Sequence, residues 1–257
     1  MTVIAPLLLT WVVAVQAGQP PQPAAPAPVQ ASPWTDDRPI ARFFQNFKTD
    51  FVHLASAESV ALSIAGASFA SAVHTQDAAV AEWVSTRGSS KYAAVGDVIG
   101  TRWVQGGFAV GLWVTGEAID HPKLRHIGSD LMRAQVISLL LTSTVKWAVN
   151  RERPNGEDYS FPSGHTSAVF TTAAVLQKHC GWKVGVAAYA VAGFVGWSRV
   201  RSSDHWMSDV VMGAAVGIIA ARSVVGTHMG RWVIVPVKTA GGMAVFVTRR
   251  PASASRR

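Results

Sequence analysis

His205 stands four residues before Asp209, and on a helix that spacing puts the two on one face, one turn apart. A carboxylate there accepts the proton-bearing nitrogen of the imidazole, fixes its tautomer and leaves the other nitrogen free to attack. Ser198-Arg199 precedes this pair by a few residues, and Arg199 can supply an anion contact. A second group, Phe161-Pro162-Ser163-Gly164-His165-Thr166-Ser167, stands directly before an apolar helical run. A helix N-terminus presents free N–H groups and a partial positive charge, a glycine lets an anion come close to the backbone, and Ser163 adds a hydroxyl. His165, at the helix start, is suited to general acid–base work near neutral pH. A third group is Lys146, then six residues, then Arg153-Pro154. Arg153 can grip two oxygens of a phosphoryl group, Lys146 acts as a point charge, and Pro154 stops the helix. Each group alone has an ordinary explanation: a surface His–Asp pair, a serine-capped helix, cations set against a helix dipole.

The elements that must carry these residues are mostly helical. Apolar patterning predicts helices over Arg42–Lys48, Val52–Val73, Tyr92–Ala118, Leu131–Val149, Thr166–Lys178, Lys183–Trp197 and Ser208–Val224. Their Ala, Gly and Ser content suits close helix packing. Asp97 and Arg102 interrupt the Tyr92–Ala118 run, and Glu58 interrupts Val52–Val73. Trp232–Val235 and Ala244–Val247 flank Gly241-Gly242, which reads equally as a hairpin or as a disordered tail. Residues 1–17 have the apolar core and the Val15-Gln16-Ala17 site of an export signal, without a preceding cation. Residues 18–33 are a Pro/Ala-rich linker. The expected organisation is therefore signal 1–17, linker 18–33, helical domain 34–228 and basic tail 229–257.

Apolar residues make up 49% of the 257-residue chain, charged residues only 15%, and the net charge is +8. That balance favours anionic partners. The basic residues crowd at Lys146–Arg153 and Arg199–Arg201, which points to an anion site. Cys180 is the single cysteine, so no intramolecular disulfide forms. His53, His74, His121, His126, His179 and His228 lie outside the three groups and are expected at surfaces or interfaces.

Taken in order, the three groups resemble the signature of the type-2 phosphatidic acid phosphatase/vanadium haloperoxidase superfamily. The resemblance covers about Lys146 to Asp209, and the helical pattern extends it over Val52–Val224. It implies an all-α fold, a six-helix-type bundle. It implies that Lys146, Arg153 and Arg199 bind phosphoryl oxygens, helped by Ser163 and the Gly164 N–H. His205 is then the nucleophile oriented by Asp209, and His165 the acid and base. No metal or other cofactor is implied, although vanadate could occupy the phosphate site as an inhibitor. Arg201 and Asp204 receive no role. The short interval between Pro154 and Pro162 favours a bacterial lipid-phosphatase-like branch.

The partner expected is a phosphorylated lipid (phosphatidate, phosphatidylglycerophosphate or an undecaprenyl pyrophosphate) or a small phosphate ester, with membrane contact and no nucleic acid. Three alternatives stand beside this: a soluble periplasmic acid phosphatase, a vanadate-dependent haloperoxidase and a non-enzymatic binding protein. The expected location is the bacterial cell envelope, with the site facing the periplasm or outside. The apolar runs are short for membrane spans. A cleaved signal would also conflict with six spans and an outward-facing site.

Overall fold

Local chemistry breaks two of the expected helices. In the computed structural model, which describes residues 43–87, 90–226, 232–239 and 242–249, the apolar run Val52–Val73 is divided between α1 (Phe43–Leu54) and α2 (Ala57–His74). Ser56 starts the second helix, its Oγ accepting the Ser59 N–H at 3.2 Å, and the two axes bend by 60°. After a short α3 (Asp77–Ser85), which patterning did not anticipate, the Tyr92–Ala118 run divides into α4 (Ser90–Gly100) and α5 (Arg102–Ala118). Thr101 is extended there, and its Oγ1 caps α5 by accepting the Val104 N–H at 3.4 Å.

The remaining helices follow their predicted cores with longer ends: α6 (Pro122–Val149), α7 (Gly164–Cys180), α8 (Trp182–Arg201) and α9 (Met207–Val225). α6 starts about two turns earlier than expected because Pro122 suits a first helical position and the His121 ring caps it. Asn150, left-handed at φ 41°, ends it. The fold is all-α, as expected. The six-helix expectation is matched if the bent α1–α2 pair and the broken α4–α5 pair each count once and α3 is an addition. The tail adds a hairpin: β1 (Trp232–Thr239) runs antiparallel to β2 (Gly242–Arg249), with Trp232 opposite Arg249 and Thr239 opposite Gly242. The expected signal and linker, residues 1–33, lie outside the described residues.

α9 occupies the middle of the bundle, packed chiefly against α7 and α2 and also against α6 and α1. Small side chains allow this. A Cβ added at Gly213 would stand 2.6 Å from the Ser163 carbonyl oxygen, so α9 can lie against the start of α7 only with glycine there. Leu131, Ile137, Val175, Val195 and Val200 are the larger apolar side chains fully buried among α6, α7 and α8. Polar groups are buried beside them: Arg133 of α6 reaches Asp50 of α1 at 2.8 Å and Asp130 at 2.7 Å. A buried guanidinium needs such partners.

Candidate active site

The end of α8 and the start of α9 set the nucleophile candidate. Arg199 lies in the last turn of α8, and its carbonyl accepts the Asp204 and His205 N–H groups at 3.1 and 3.3 Å. His205 therefore sits in the connection, two residues before α9, and does not share a helical turn with Asp209 as expected. Asp209 is in the first turn of α9, where its Oδ2 accepts the Trp206 N–H at 2.8 Å. The two side chains still meet, with His205 Nδ1 3.6 Å from Asp209 Oδ2. That is longer than a hydrogen bond. Asp209, fully buried, is held instead by Arg151 Nη1 at 2.7 Å and by the Ser160 hydroxyl. His205 is 3% exposed, and its Nδ1 has no hydrogen-bond partner.

The connection between α6 and α7 carries the first cations. Lys146, in the last turn of α6, donates to the carbonyls of Tyr159 and, at 3.3 Å, Ser160. Arg153 pairs with Glu157 at 2.9 Å through Nη1, while its Nε is buried and unpaired. Ser163 caps α7: its Oγ accepts the Thr166 hydroxyl at 2.9 Å and the Thr166 N–H at 3.4 Å. Ser163 N–H in turn donates to the Asp209 carbonyl at 3.0 Å, which joins this connection to α9.

α4 contributes a residue outside the three sequence groups. Asp97 Oδ1 lies 3.1 Å from His165 Nε2 and pairs with Arg199 Nη1. Asp204 pairs with the other terminal nitrogen of Arg199, which gives it a partner that sequence reading did not assign. Arg199 Nε remains buried and unpaired. Arg151 was also not anticipated, and it is the most connected side chain here. It reaches Asp209, Ser208 at 2.7 Å, Asp77 of α3 at 2.8 Å and the His74 ring at 3.1 Å. The signals were present in part: Asp97 is a carboxylate in an apolar run, and Arg151 lies inside the basic stretch.

All the expected site residues come to one end of the bundle. His205 feels the charges of Lys146 and Arg153, and His165 feels those of Arg199 and of His205. The two imidazoles thus share one electrostatic environment. Burial pushes His165 down to about 4, the Arg199 guanidinium adds to this, and Asp97 opposes it. Burial also lowers His205, so both rings are neutral near pH 7. Lys146 is lowered to about 8, first by burial and then by Arg153. Among the described residues no three His, Cys, Asp or Glu side chains gather as a metal site.

Two histidines, three cations and a serine-capped helix start thus stand together in an all-α domain. The description of the PAP2 superfamily matches residues 155–232. The chain resembles this superfamily over that segment. It is 39% identical over 92 residues to a lipid A 1-phosphatase of Porphyromonas gingivalis, a match covering 34% of this chain and 19% of that protein. It is 30% identical over 119 residues to an undecaprenyl-diphosphatase of Sulfolobus acidocaldarius, covering 40% of this chain and 56% of that one. The chain thus spans less than two thirds of the length of these curated relatives. The crystal structure of a transmembrane PAP2 type phosphatidylglycerolphosphate phosphatase from Bacillus subtilis shares the fold. Its TM-score is 0.52 at 18% identity, covering 73% of this chain and 94% of that one.

Proposed function

We propose that this protein is a lipid phosphatase, hydrolysing phosphate monoesters or diphosphates through a phosphohistidine on His205. The observation that carries the reading is a set of three buried donors without partners, Arg153 Nε, Arg199 Nε and His205 Nδ1, in the site built from the sequence motifs. Buried donors of this kind normally have partners. The oxygens of a phosphoryl group are suited to the two guanidinium nitrogens, and the Asp209 carboxylate, 3.6 Å away, to the imidazole. Catalytic contacts that are long in the free enzyme tighten in the complex.

The neutral His205 ring attacks phosphorus in line with its second nitrogen, and the bond from phosphorus to the leaving oxygen breaks. Arg153, Arg199 and Lys146, with Ser163 and the Gly164 N–H, neutralise the charge on the equatorial oxygens. His165 gives a proton to the leaving oxygen. It is neutral in the free enzyme, and a bound phosphoryl dianion beside it raises its proton affinity by offsetting Arg199. In the second half, His165 takes a proton from water, which attacks phosphorus and breaks the P–N bond. Three cations at the phosphoryl group do what a magnesium ion does elsewhere, so the reaction is read as metal-independent. Vanadate, which resembles the five-coordinate phosphorus, is expected to inhibit.

The names of the relatives support a lipid substrate, and so does the apolar surface. Trp103 is 90% exposed and Trp147 83% exposed. Membrane contact belongs to this reading, with the site facing the periplasm or outside. The test is hydrolysis of phosphatidate, phosphatidylglycerophosphate and polyprenyl diphosphate in detergent by wild type and by His205→Ala. The substitution should lower turnover by a factor of about 10³ or more and abolish an acid-labile phosphoenzyme, with helix content unchanged. Hydrolysis of water-soluble esters alone would remove the lipid assignment, and an active His205→Ala enzyme would remove the nucleophile.

A further inference from the structure

Arg151 lies two residues before Arg153 in the α6–α7 connection, yet its guanidinium is committed to protein groups. Nη1 donates to Asp209 Oδ1 and to the Ser208 hydroxyl, both at 2.7 Å. Nη2 donates to Asp77 Oδ2 at 2.8 Å and meets His74 Nδ1 at 3.1 Å. Each terminal nitrogen thus has as many partners as it has hydrogens, which leaves neither for a phosphoryl group. Arg153 and Arg199, by contrast, each keep a buried Nε without a partner. The main chain of Arg151 acts on the same carboxylate. Its carbonyl accepts the Ser160 N–H at 2.7 Å, and the Ser160 hydroxyl donates to Asp209 Oδ2.

Asp77 sets where that guanidinium stands. It is the buried first residue of α3, and its Oδ1 accepts the Ser208 N–H at 2.9 Å at the start of α9. Asp77 therefore fixes both Arg151 and the helical turn that carries Asp209. A carboxylate turns about a soft, roughly two-fold torsion. Arg151 on Oδ1 holds that torsion for Asp209, and Oδ2 is then the oxygen turned to His205, whose Nδ1 stands 3.6 Å away with no hydrogen-bond partner. The imidazole needs this oxygen. Attack on phosphorus by one ring nitrogen leaves positive charge on the ring, and an N–H to carboxylate contact at the other nitrogen stabilises it. Without Arg151 the buried Oδ1 has lost its charged donor, and the carboxylate re-orients toward another.

We infer that Arg151, anchored by Asp77, is a positioning residue that sets the Asp209 carboxylate for the attack by His205. The inference rests on the phosphohistidine reading and adds to it a residue that touches neither the substrate nor the reacting nitrogen. It also gives α3 a part in the reaction, because Asp77 reaches the site from there. The effect belongs to turnover and not to substrate binding, since the phosphoryl oxygens meet Lys146, Arg153 and Arg199 instead.

The experiment compares the full-chain wild type with Arg151→Gln, Arg151→Lys, Asp77→Asn, Asp209→Asn and the Arg151→Gln/Asp209→Asn double variant. Turnover of phosphatidate and p-nitrophenyl phosphate is followed in detergent, and inhibition by inorganic phosphate measures anion binding. Arg151→Gln should lower kcat by about 10- to 100-fold, with KM and the phosphate inhibition constant within about twofold of wild type. Arg151→Lys should recover part of the loss, and Asp77→Asn should lower kcat in the same sense by less. On Asp209→Asn, where there is no carboxylate to set, Arg151→Gln should cost less than about a further threefold. A wild-type kcat in Arg151→Gln, a rise in KM and the phosphate constant with kcat unchanged, or the full loss repeated on Asp209→Asn overturns the inference while the phosphatase reading stands. If Arg151→Gln does not fold, as judged by helix content, Arg151→Lys and Asp77→Asn decide by the same split of kcat from KM. A wild type that turns over neither substrate, or an active His205→Ala enzyme, removes the phosphohistidine reading and this inference with it.

Discussion

At the residue scale, Lys146 is the group whose chemistry is most open to a direct test. Burial lowers its ammonium to about 8, and the nearby Arg153 charge adds to this. The sign follows from which form is charged: Lys146 is a cation below that pH and a neutral amine above it. As an amine it neither balances phosphoryl charge nor holds the Tyr159 and Ser160 carbonyls with a full set of donors. The pH profile of kcat/KM, which reports the free enzyme, should therefore fall through an alkaline limb near 8. Lys146→Arg keeps its charge at every accessible pH and should move that limb upward. It should also lose about tenfold in kcat/KM at neutral pH, because a planar fork replaces a point charge. A limb that stays in place in Lys146→Arg would assign the titration to another group.

At the element scale, the junction of α4 and α5 is what holds His165. α4 delivers Asp97 to the ring and to Arg199, and its last residue, Gly100, lies directly against the histidine. A Cβ at position 100 would stand 2.8 Å from both Cβ and Cδ2 of His165 and 2.9 Å from Val195 Cγ1. None of these can move without moving the start of α7 or the core of α8. Gly100→Ala should therefore displace His165 and lower kcat by about 10- to 100-fold, the scale of small misplacements in a catalytic site. Gly106→Ala, on a face of α5 where an added Cβ meets nothing within 4 Å, is the control. It should keep full activity and gain up to about 1 kcal/mol in stability from helix propensity. Equal kinetics for the two variants would mean that the α4–α5 junction does not position the acid.

At the scale of the whole molecule, several charged groups lie inside and several large apolar groups outside. Asp50, Asp77, Arg133, Arg199 and Asp209 are buried, whereas Phe44, Ile64, Phe69, Trp103, Trp147 and Trp182 are exposed. Apolar surface on this scale marks contact with lipid or another apolar partner. α9 is the one described helix long and apolar enough alone to cross a membrane, and the bent α1–α2 pair would make two. More than half of that α9 window is buried, so packing accounts for its composition. The surface is thus stronger support for membrane contact than any single helix. The protein should sediment with membranes after high-salt washing and need detergent for extraction. Release by osmotic shock alone would favour the soluble acid-phosphatase alternative.

The sequence alone determined the class of fold and put forward the candidate site residues. Lys146, Arg153, Ser163, Gly164, His165, Arg199, His205 and Asp209 stand at spacings set by local chemistry: a proline stop, a serine cap, a helix start. Such features depend on a few neighbouring residues, and they are legible in one dimension. Helix ends were legible where a proline stop stood near, as Pro154 after Val149, and were missed where Thr101 and Ser56 cut apolar runs that periodicity alone would continue. Only the tertiary structure decided how the participants are held. Asp97 acts on His165 and Arg199 from residues some seventy to one hundred positions away. Arg151 ties α3 to α9. Asp209 is occupied by Ser160 and Arg151 while it stands near His205. Arg102 reaches the glycine turn across the bundle. Charges pair through space, and the partner of a buried ion is chosen by whichever helix packs beside it, a choice no local pattern records.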